Sequence, residues 1–265
     1  MASVLDKIVE DKKESLKLIK KTNSLDSIEK TIKSLNNFLN FKEVITNNKG
    51  VSLIAEIKKA SPSAGLIIEN YKPEEIAKRY LESGATCLSI LTEENHFMGK
   101  LEHITVVKNK VNLPVLCKDF FIDPYQVYQA KSFGADAILI ILAAVDEKTA
   151  NEIYDAAEKL SISTIVEIHT EEEAKKALNF KNAMIGINNR NLKSLKTDIK
   201  TTFNLHANFT DHKGPVICES GIRSEKDVEE IIKKTKIKNF LIGESLLKDL
   251  SKNTSLLDRI LQISM

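Results

Sequence analysis

From residue 51 onward, short apolar runs alternate with charged stretches. The runs read SLIAEIK, TCLSILT, PVLCKDF, DAILIIL, STIVEI, NAMIGIN, PVICES and NFLIG. Their length and content predict β-strands. Between them lie segments such as PEEIAKRYLESG, DEKTANEIYDAAEKL and SEKDVEEIIKKT, whose apolar residues recur at helical spacing. Pro73 and Asp146 stand where a first helical turn or an N-cap belongs. The runs end near Lys58, Leu91, Lys118, Leu142, Glu167, Asn188, Ser220 and Gly243, at near-even intervals. Eight strands separated by helices predict an α/β fold, either a closed parallel barrel or an open sheet, and the even spacing fits a (β/α)8 TIM barrel best.

Ahead of that rhythm, Val4, Leu5, Ile8, Val9, Leu16, Leu18 and Ile19 recur at roughly helical spacing. A second helical patch, broken by Ser and Asn, runs around Leu25–Leu39. Residues 1–50 are therefore expected to form a helical N-terminal extension. No linker divides the chain, so residues 1–265 are expected to be a single barrel domain.

The first run, LIAEIKKASPS, poses a question. Strand alternation puts Ser52, Ile54, Glu56 and Lys58 on one side and Leu53, Ala55 and Ile57 on the other. On a surface strand the pair is a solvated rim. With both faces covered, two charges are desolvated together, which costs several kcal/mol unless they are paired or used. The other runs decide between these readings. Lys118, Glu167, Asn188 with Arg190 just after, and Glu219-Ser220-Gly221 also fall at run ends, while the first halves of the same runs are almost wholly apolar. A (β/α)8 barrel carries its active site at the C-terminal ends of its strands. The pattern predicts one shared polar pocket, with Glu56 and Lys58 on the inner wall at the open mouth. Lys59 should point the other way.

Composition narrows the function. With 39 basic and 37 acidic residues among 265, the net charge of +2 gives no nucleic-acid footprint. No apolar run reaches membrane-spanning length, and the first residues lack the apolar core of a signal peptide. Cys87, Cys117 and Cys218 lie far apart beside apolar runs and show no metal-ligand spacing, which predicts reduced core thiols and a cytoplasmic location. No Rossmann or Walker A loop follows any run. In this fold a phosphate commonly sits between the loops after the seventh and eighth strands. Here those ends read ESGIRS and LIGESLLKDL, each with a glycine where backbone must approach closely. His96 and His169 fall in loops, where a lone histidine reads first as a surface residue. Asp119 is either a ligand or a structural partner of a neighbouring strand. Phe97 and Phe120 either pack under loops or flank an aromatic substrate.

The segments EIKKASPSAG, LTEENHFMGKLEHI, CKDFFIDPYQV, VEIHTEEEA, IGINNRNL, ESGI and FLIGESLL, in this order, resemble the indole-3-glycerol phosphate synthase family over essentially the whole chain. The resemblance implies conversion of 1-(2-carboxyphenylamino)-1-deoxyribulose 5-phosphate into indole-3-glycerol phosphate, carbon dioxide and water, with no metal and no organic cofactor. It implies catalytic roles for Glu56, Lys58, Lys118, Glu167, Asn188 and Ser220. Ser61, Arg190, Leu192, Glu219, Gly221, Gly243 and Glu244 match substrate or phosphate positions, and Phe97, Phe120 and Leu142 would border the anthranilate ring. Many members carry Lys where this chain has Ala64, and some have Ser in place of Glu244. The implied partner is a phosphorylated small molecule, with neither nucleic acid nor membrane. Oligomeric state is not legible, and a monomer is the expectation.

The chemistry asks for these groups. A cation must polarise the ribulose carbonyl as the ring carbon attacks, and Lys118 is the candidate. Lys58 can hold the substrate carboxylate. Dehydration then needs a base, here Glu167, and an acid, either Lys58 or Lys118. Glu56 can orient the lysines, and Asn188 can hold a hydroxyl or assist Glu167. Two rivals stand beside this reading. One is another phosphate-binding barrel such as phosphoribosylanthranilate isomerase, which does not need two inner-wall lysines. The other is a non-catalytic sensor, which would bind the phosphate without releasing carbon dioxide.

Overall fold

A computed structural model describes residues 3–250 and 255–263. All eight runs are strands: β1 (Ser52–Ile57), β2 (Cys87–Leu91), β3 (Val115–Lys118), β4 (Ala137–Ile141), β5 (Ser163–Ile168), β6 (Met184–Asn188), β7 (Val216–Glu219) and β8 (Asn239–Ile242). Each pairs in parallel with its sequence neighbours, and β1 pairs with β8 to close the barrel. This is the TIM-barrel fold that the spacing predicts. A short hairpin, Ala60–Ser61 with Gly65–Leu66, is inserted after β1.

The first three helices, α1 (Val4–Thr22), α2 (Leu25–Ser34) and α3 (Phe41–Asn47), make up the N-terminal extension. Around the barrel follow α4 (Pro73–Glu82), α5 (Glu102–Lys108), α6 (Tyr125–Ser132), α7 (Glu147–Lys159), α8 (Glu171–Ala177), α9 (Lys200–Leu205), α10 (Glu225–Thr235), α11 (Glu244–Asp249) and α12 (Leu256–Leu261). Local chemistry sets their starts. Ser3 and Asp6 close a reciprocal capping box on α1. Pro73 opens α4, and the Asp146 carboxylate caps α7 by accepting from the Thr149 N–H at 2.7 Å.

Two apolar layers result. One lies between strands and helices. The other fills the barrel interior with Ile54, Cys87, Leu116, Leu139, Ile165, Met184, Ile217 and Leu241. The extension closes both ends of this inner layer. Phe41 and Ile45 of α3 join it from below, where the Leu39 N–H donates to Asp136 at 2.6 Å at the start of β4. Leu5 and Ile8 of α1 join it from above, beside Phe97, Phe120 and Leu192. The second helical patch differs from the expectation over Leu25–Leu39. It stops at Ser34 because Leu35 turns extended, and Asn40 starts a separate helix by accepting from the Glu43 N–H at 3.1 Å.

Candidate active site

Strand register gathers the run-end residues at one level. Glu56 lies opposite Ser89, Leu91 opposite Lys118, Ile141 opposite Glu167, and Asn188 opposite Glu219. Of these, Glu56, Leu91, Lys118, Ile141, Glu167, Asn188 and Glu219 line a cavity of about 980 Å³ at the C-terminal mouth. Glu56, Lys58, Phe97, Lys118, Phe120, Glu167, Asn188, Arg190, Leu192, Glu219, Ser220, Gly221, Gly243 and Glu244 all reach it. Glu56 and Lys58 form an ion pair of 2.6 Å with both side chains largely buried. The charges at the end of the first run are therefore paired on the inner wall.

At the centre, the Lys118 ammonium donates to Glu167 Oε2 at 2.7 Å and to Glu219 Oε2 at 2.8 Å. Asn188 Nδ2 donates to Glu167 Oε1 at 2.9 Å. Burial alone would lower the Lys118 pKa, but Glu167, then Glu219 and Glu56, outweigh it and hold the ammonium well above its ordinary value. Burial likewise opposes ionisation of Glu167, yet Lys118 and His169 pull that carboxyl well below the usual range. Glu219 goes the other way. Burial pushes it up to about 7 against the pull of Lys118, and the Glu167 charge adds to the rise. Two buried carboxylates sharing one ammonium are thus driven apart.

Small residues make room for these charges. A side chain at Gly186 would collide with the Glu219 carboxylate, and one at Gly243 with Glu56 and Lys58. Gly186 escaped the sequence reading, although a glycine inside a strand run is a signal of close approach. Ser220 and Gly221 both adopt left-handed backbone, with φ of 65° and 80°. Asn189 supports this turn by donating to the Glu219 and Ser220 carbonyls, each at 3.1 Å. The Ser245 hydroxyl donates to the Ile222 carbonyl at 2.6 Å and ties the seventh and eighth loops together. The Glu244 side chain accepts from Lys248, which lowers its pKa.

Some expected residues fall elsewhere. Leu142 lies beyond the end of β4, outside the main cavity, and lines a smaller one with Val145 and Phe180. Leu139 and Ile141, of the opposite parity, line the main cavity instead. Ser61 is buried and does not line the cavity, since its hydroxyl accepts from the Ala64 N–H at 3.2 Å. Ser63 lines it in that stretch. Lys59 is half-buried and absent from the lining. Asp119 lines the mouth but acts as a structural partner, held by Thr92 at 2.6 Å and by Lys12 of α1 at 2.7 Å. His96 pairs with Asp11 of α1 at 2.9 Å. Phe97 and Phe120 reach the cavity with ring centroids 6.2 Å apart. Cys87, Cys117 and Cys218 are free and buried. The His169 side chain is mostly covered and lies against Glu167, contrary to its reading as a surface residue, with Glu173 of α8 at its other nitrogen.

Fold and site together define a (β/α)8-barrel enzyme with paired lysines and carboxylates at its mouth. The indole-3-glycerol phosphate synthase family model matches residues 5–257. A relative of that name from Prochlorococcus marinus (strain MIT 9515) is 40% identical over 253 residues, covering 93% of this chain and 85% of its own. One from Legionella pneumophila (strain Lens) is 40% identical, covering 94% and 95%. Among solved structures, the tryptophan synthase alpha chain of Legionella pneumophila superposes with a TM-score of 0.59 at 14% identity, over 89% of this chain and 95% of that one. Phosphoribosyl anthranilate isomerase from Thermotoga maritima gives a TM-score of 0.56 at 13% identity, over 78% and 96%, a likeness of fold alone. The chain belongs to the indole-3-glycerol phosphate synthase family, and its activity is that of this decarboxylating lyase of tryptophan biosynthesis. Among the described residues no helix is long and apolar enough to cross a membrane.

Proposed function

We propose that this protein closes the indole ring of 1-(2-carboxyphenylamino)-1-deoxyribulose 5-phosphate with the lysines and carboxylates gathered at its barrel mouth. The observation that carries the assignment is the Lys118 ammonium clamped between Glu167 and Glu219 at 2.7 and 2.8 Å. Those two carboxylates keep Lys118 charged, so it meets the ribulose carbonyl as a full cation and stabilises the oxygen as negative charge develops there. Its move toward substrate releases Glu167, which then serves as the base for the proton removed in dehydration. Asn188 holds the freed carboxylate in register.

Lys58 takes the substrate carboxylate, oriented by Glu56 beside it. It is also placed to act as the acid for the departing hydroxyl. Phe97, Phe120, Leu139 and Ile141 supply the apolar wall for the anthranilate ring, and Leu192 adds to it. Backbone N–H groups around Gly221, Gly243 and Glu244 hold the phosphate, with Ser220, Arg190, Arg223 and Lys248 lining the same cavity. Glu219, with its raised pKa, stands as the substrate-binding group beside Lys118, able to donate or accept near neutral pH. Ser61 shapes the loop that brings Ser63 to the mouth. No step in this scheme calls for a metal or organic cofactor. The buried free thiols support a reducing compartment such as the cytoplasm.

The test is direct. Purified protein given the carboxyphenylamino sugar phosphate in EDTA, with no added cofactor, should develop indole fluorescence and release one carbon dioxide per product. Binding without carbon dioxide release would identify a sensor instead, and strict metal dependence would overturn the scheme.

A further inference from the structure

Behind Glu167, on the side away from Lys118, stands a group that the scheme above does not use. The His169 side chain is only 10% exposed. Its Nδ1 lies 3.3 Å from Glu173 Oε2, and its backbone N–H donates to that same oxygen at 2.7 Å. Its Nε2 lies 3.3 Å from Glu167 Oε1. Nε2 is fully buried and makes no aligned hydrogen bond. A buried ring nitrogen is thus aimed at the proposed base without being fully engaged by it.

We propose that His169 is a positioning residue, an imidazolium bridging Glu173 to Glu167 that holds the Glu167 carboxylate in place and charged once Lys118 has turned to the substrate. The inference rests on the assignment of Glu167 as the base.

The surroundings favour this. In the resting site Glu167 Oε2 is taken by Lys118 and Oε1 by Asn188. When Lys118 leaves, a neutral amide alone would remain beside a buried carboxylate. Desolvation would then raise its pKa and protonate it before it could accept a proton. A second cation behind it prevents this. The groups facing the imidazole are Glu167 on β5, Glu173 on α8 and, through Glu167, Lys118 on β3 and Asn188 on β6. Glu219 on β7 is reached only through Lys118. Burial would favour the neutral ring, but the close contacts and negative charges of Glu167 and Glu173 prevail and raise its pKa to about 9. The proton therefore stays on the ring at neutral pH.

The experiment uses the full chain with His169→Gln, His169→Asn and Glu173→Gln, each checked for folding by circular dichroism. In the His169 variants kcat should fall roughly 10-fold through misplacement of the base, with KM within threefold. The acid limb of the kcat profile should move up by about one pH unit as Glu167 loses its cation. A packing role alone would leave that limb in place. NMR provides a readout besides activity. The imidazole resonance lost in either His169 variant should titrate near pH 9 in the native protein and at lower pH in Glu173→Gln. Titration near 6.5, or folded His169 variants with native kcat and an unmoved acid limb, would overturn the proposal. Should the native protein make no indole product, the assigned reaction fails while the titration still decides the bridge.

Discussion

Lys118 and Lys58 sit in different electrostatic settings, and the difference predicts different kinetics. Lys118 bridges Glu167 and Glu219, whereas Lys58 pairs with Glu56. In the scheme Lys118 meets charge that appears only in the transition state, while Lys58 meets a carboxylate present from the start. Interactions made only in the transition state act on kcat, and those made equally in both states act on KM. Lys118→Ala should therefore lose kcat by roughly 10²–10⁴-fold, and Lys58→Ala should raise KM at least as clearly as it lowers kcat. Steady-state kinetics on both variants decides the matter. A Lys118→Ala enzyme with native kcat beside an inactive Lys58→Ala enzyme would reverse the roles. These residues were legible in the sequence because strand parity and the site rule for barrels act on single positions. His169 was not, since a loop histidine reads as a surface residue until α8 folds Glu173, four residues on, back against its ring and backbone N–H.

At the scale of elements, α1 behaves as part of the mouth. Lys12 reaches Asp119 at 2.7 Å, with 13% and 8% of the two side chains exposed. Burial disfavours the Lys12 charge, but Asp119 overrides it and raises its pKa. Asp119 also accepts from the Phe120 N–H at 2.8 Å, so a helix at the chain's start is tied to the loop carrying an aromatic of the cavity wall. Removing one partner of such a pair leaves a poorly solvated charge behind. Lys12→Met should cost about 2 kcal/mol, less than the 3–5 kcal/mol of a fully buried pair, and KM should rise as the Phe120 loop loosens. In a double-mutant cycle with Asp119→Asn, urea denaturation should show the second substitution costing less in the presence of the first. Strict additivity would mean that α1 is held by its apolar face alone. The amphipathic face of α1 was readable from the sequence. Its docking on the mouth was not, nor was α3, where an Asn-rich stretch hides a helix of seven residues.

For the whole molecule, the buried acid–base network makes stability depend on pH, and the sign follows from its members. The His169 pKa is raised from 6.5 to about 9 in the folded state. Its contribution is fully present below pH 6.5 and is lost as pH rises through 9. Glu219, raised from 4.5 to about 7, likewise binds its proton more tightly in the folded state, so stability drains as pH climbs across that interval. Glu167, depressed by Lys118, acts in acid instead, where stability is lost as pH falls below the ordinary carboxylate range. Between pH 6.5 and 9 the His169 share is roughly 3 kcal/mol at most. His103 and His212, whose pKa values are lowered chiefly by burial, tilt the curve the other way near their own range, so the native profile mixes signs. Subtraction removes the mixture. Denaturation free energies of the native protein and of His169→Gln, measured at half-unit steps from pH 6 to 9.5, should converge as pH rises. The native advantage should be greatest at pH 6 and should shrink steadily toward pH 9. Parallel curves would show that the imidazole carries no raised pKa, and curves diverging with pH would show that the ring is held neutral.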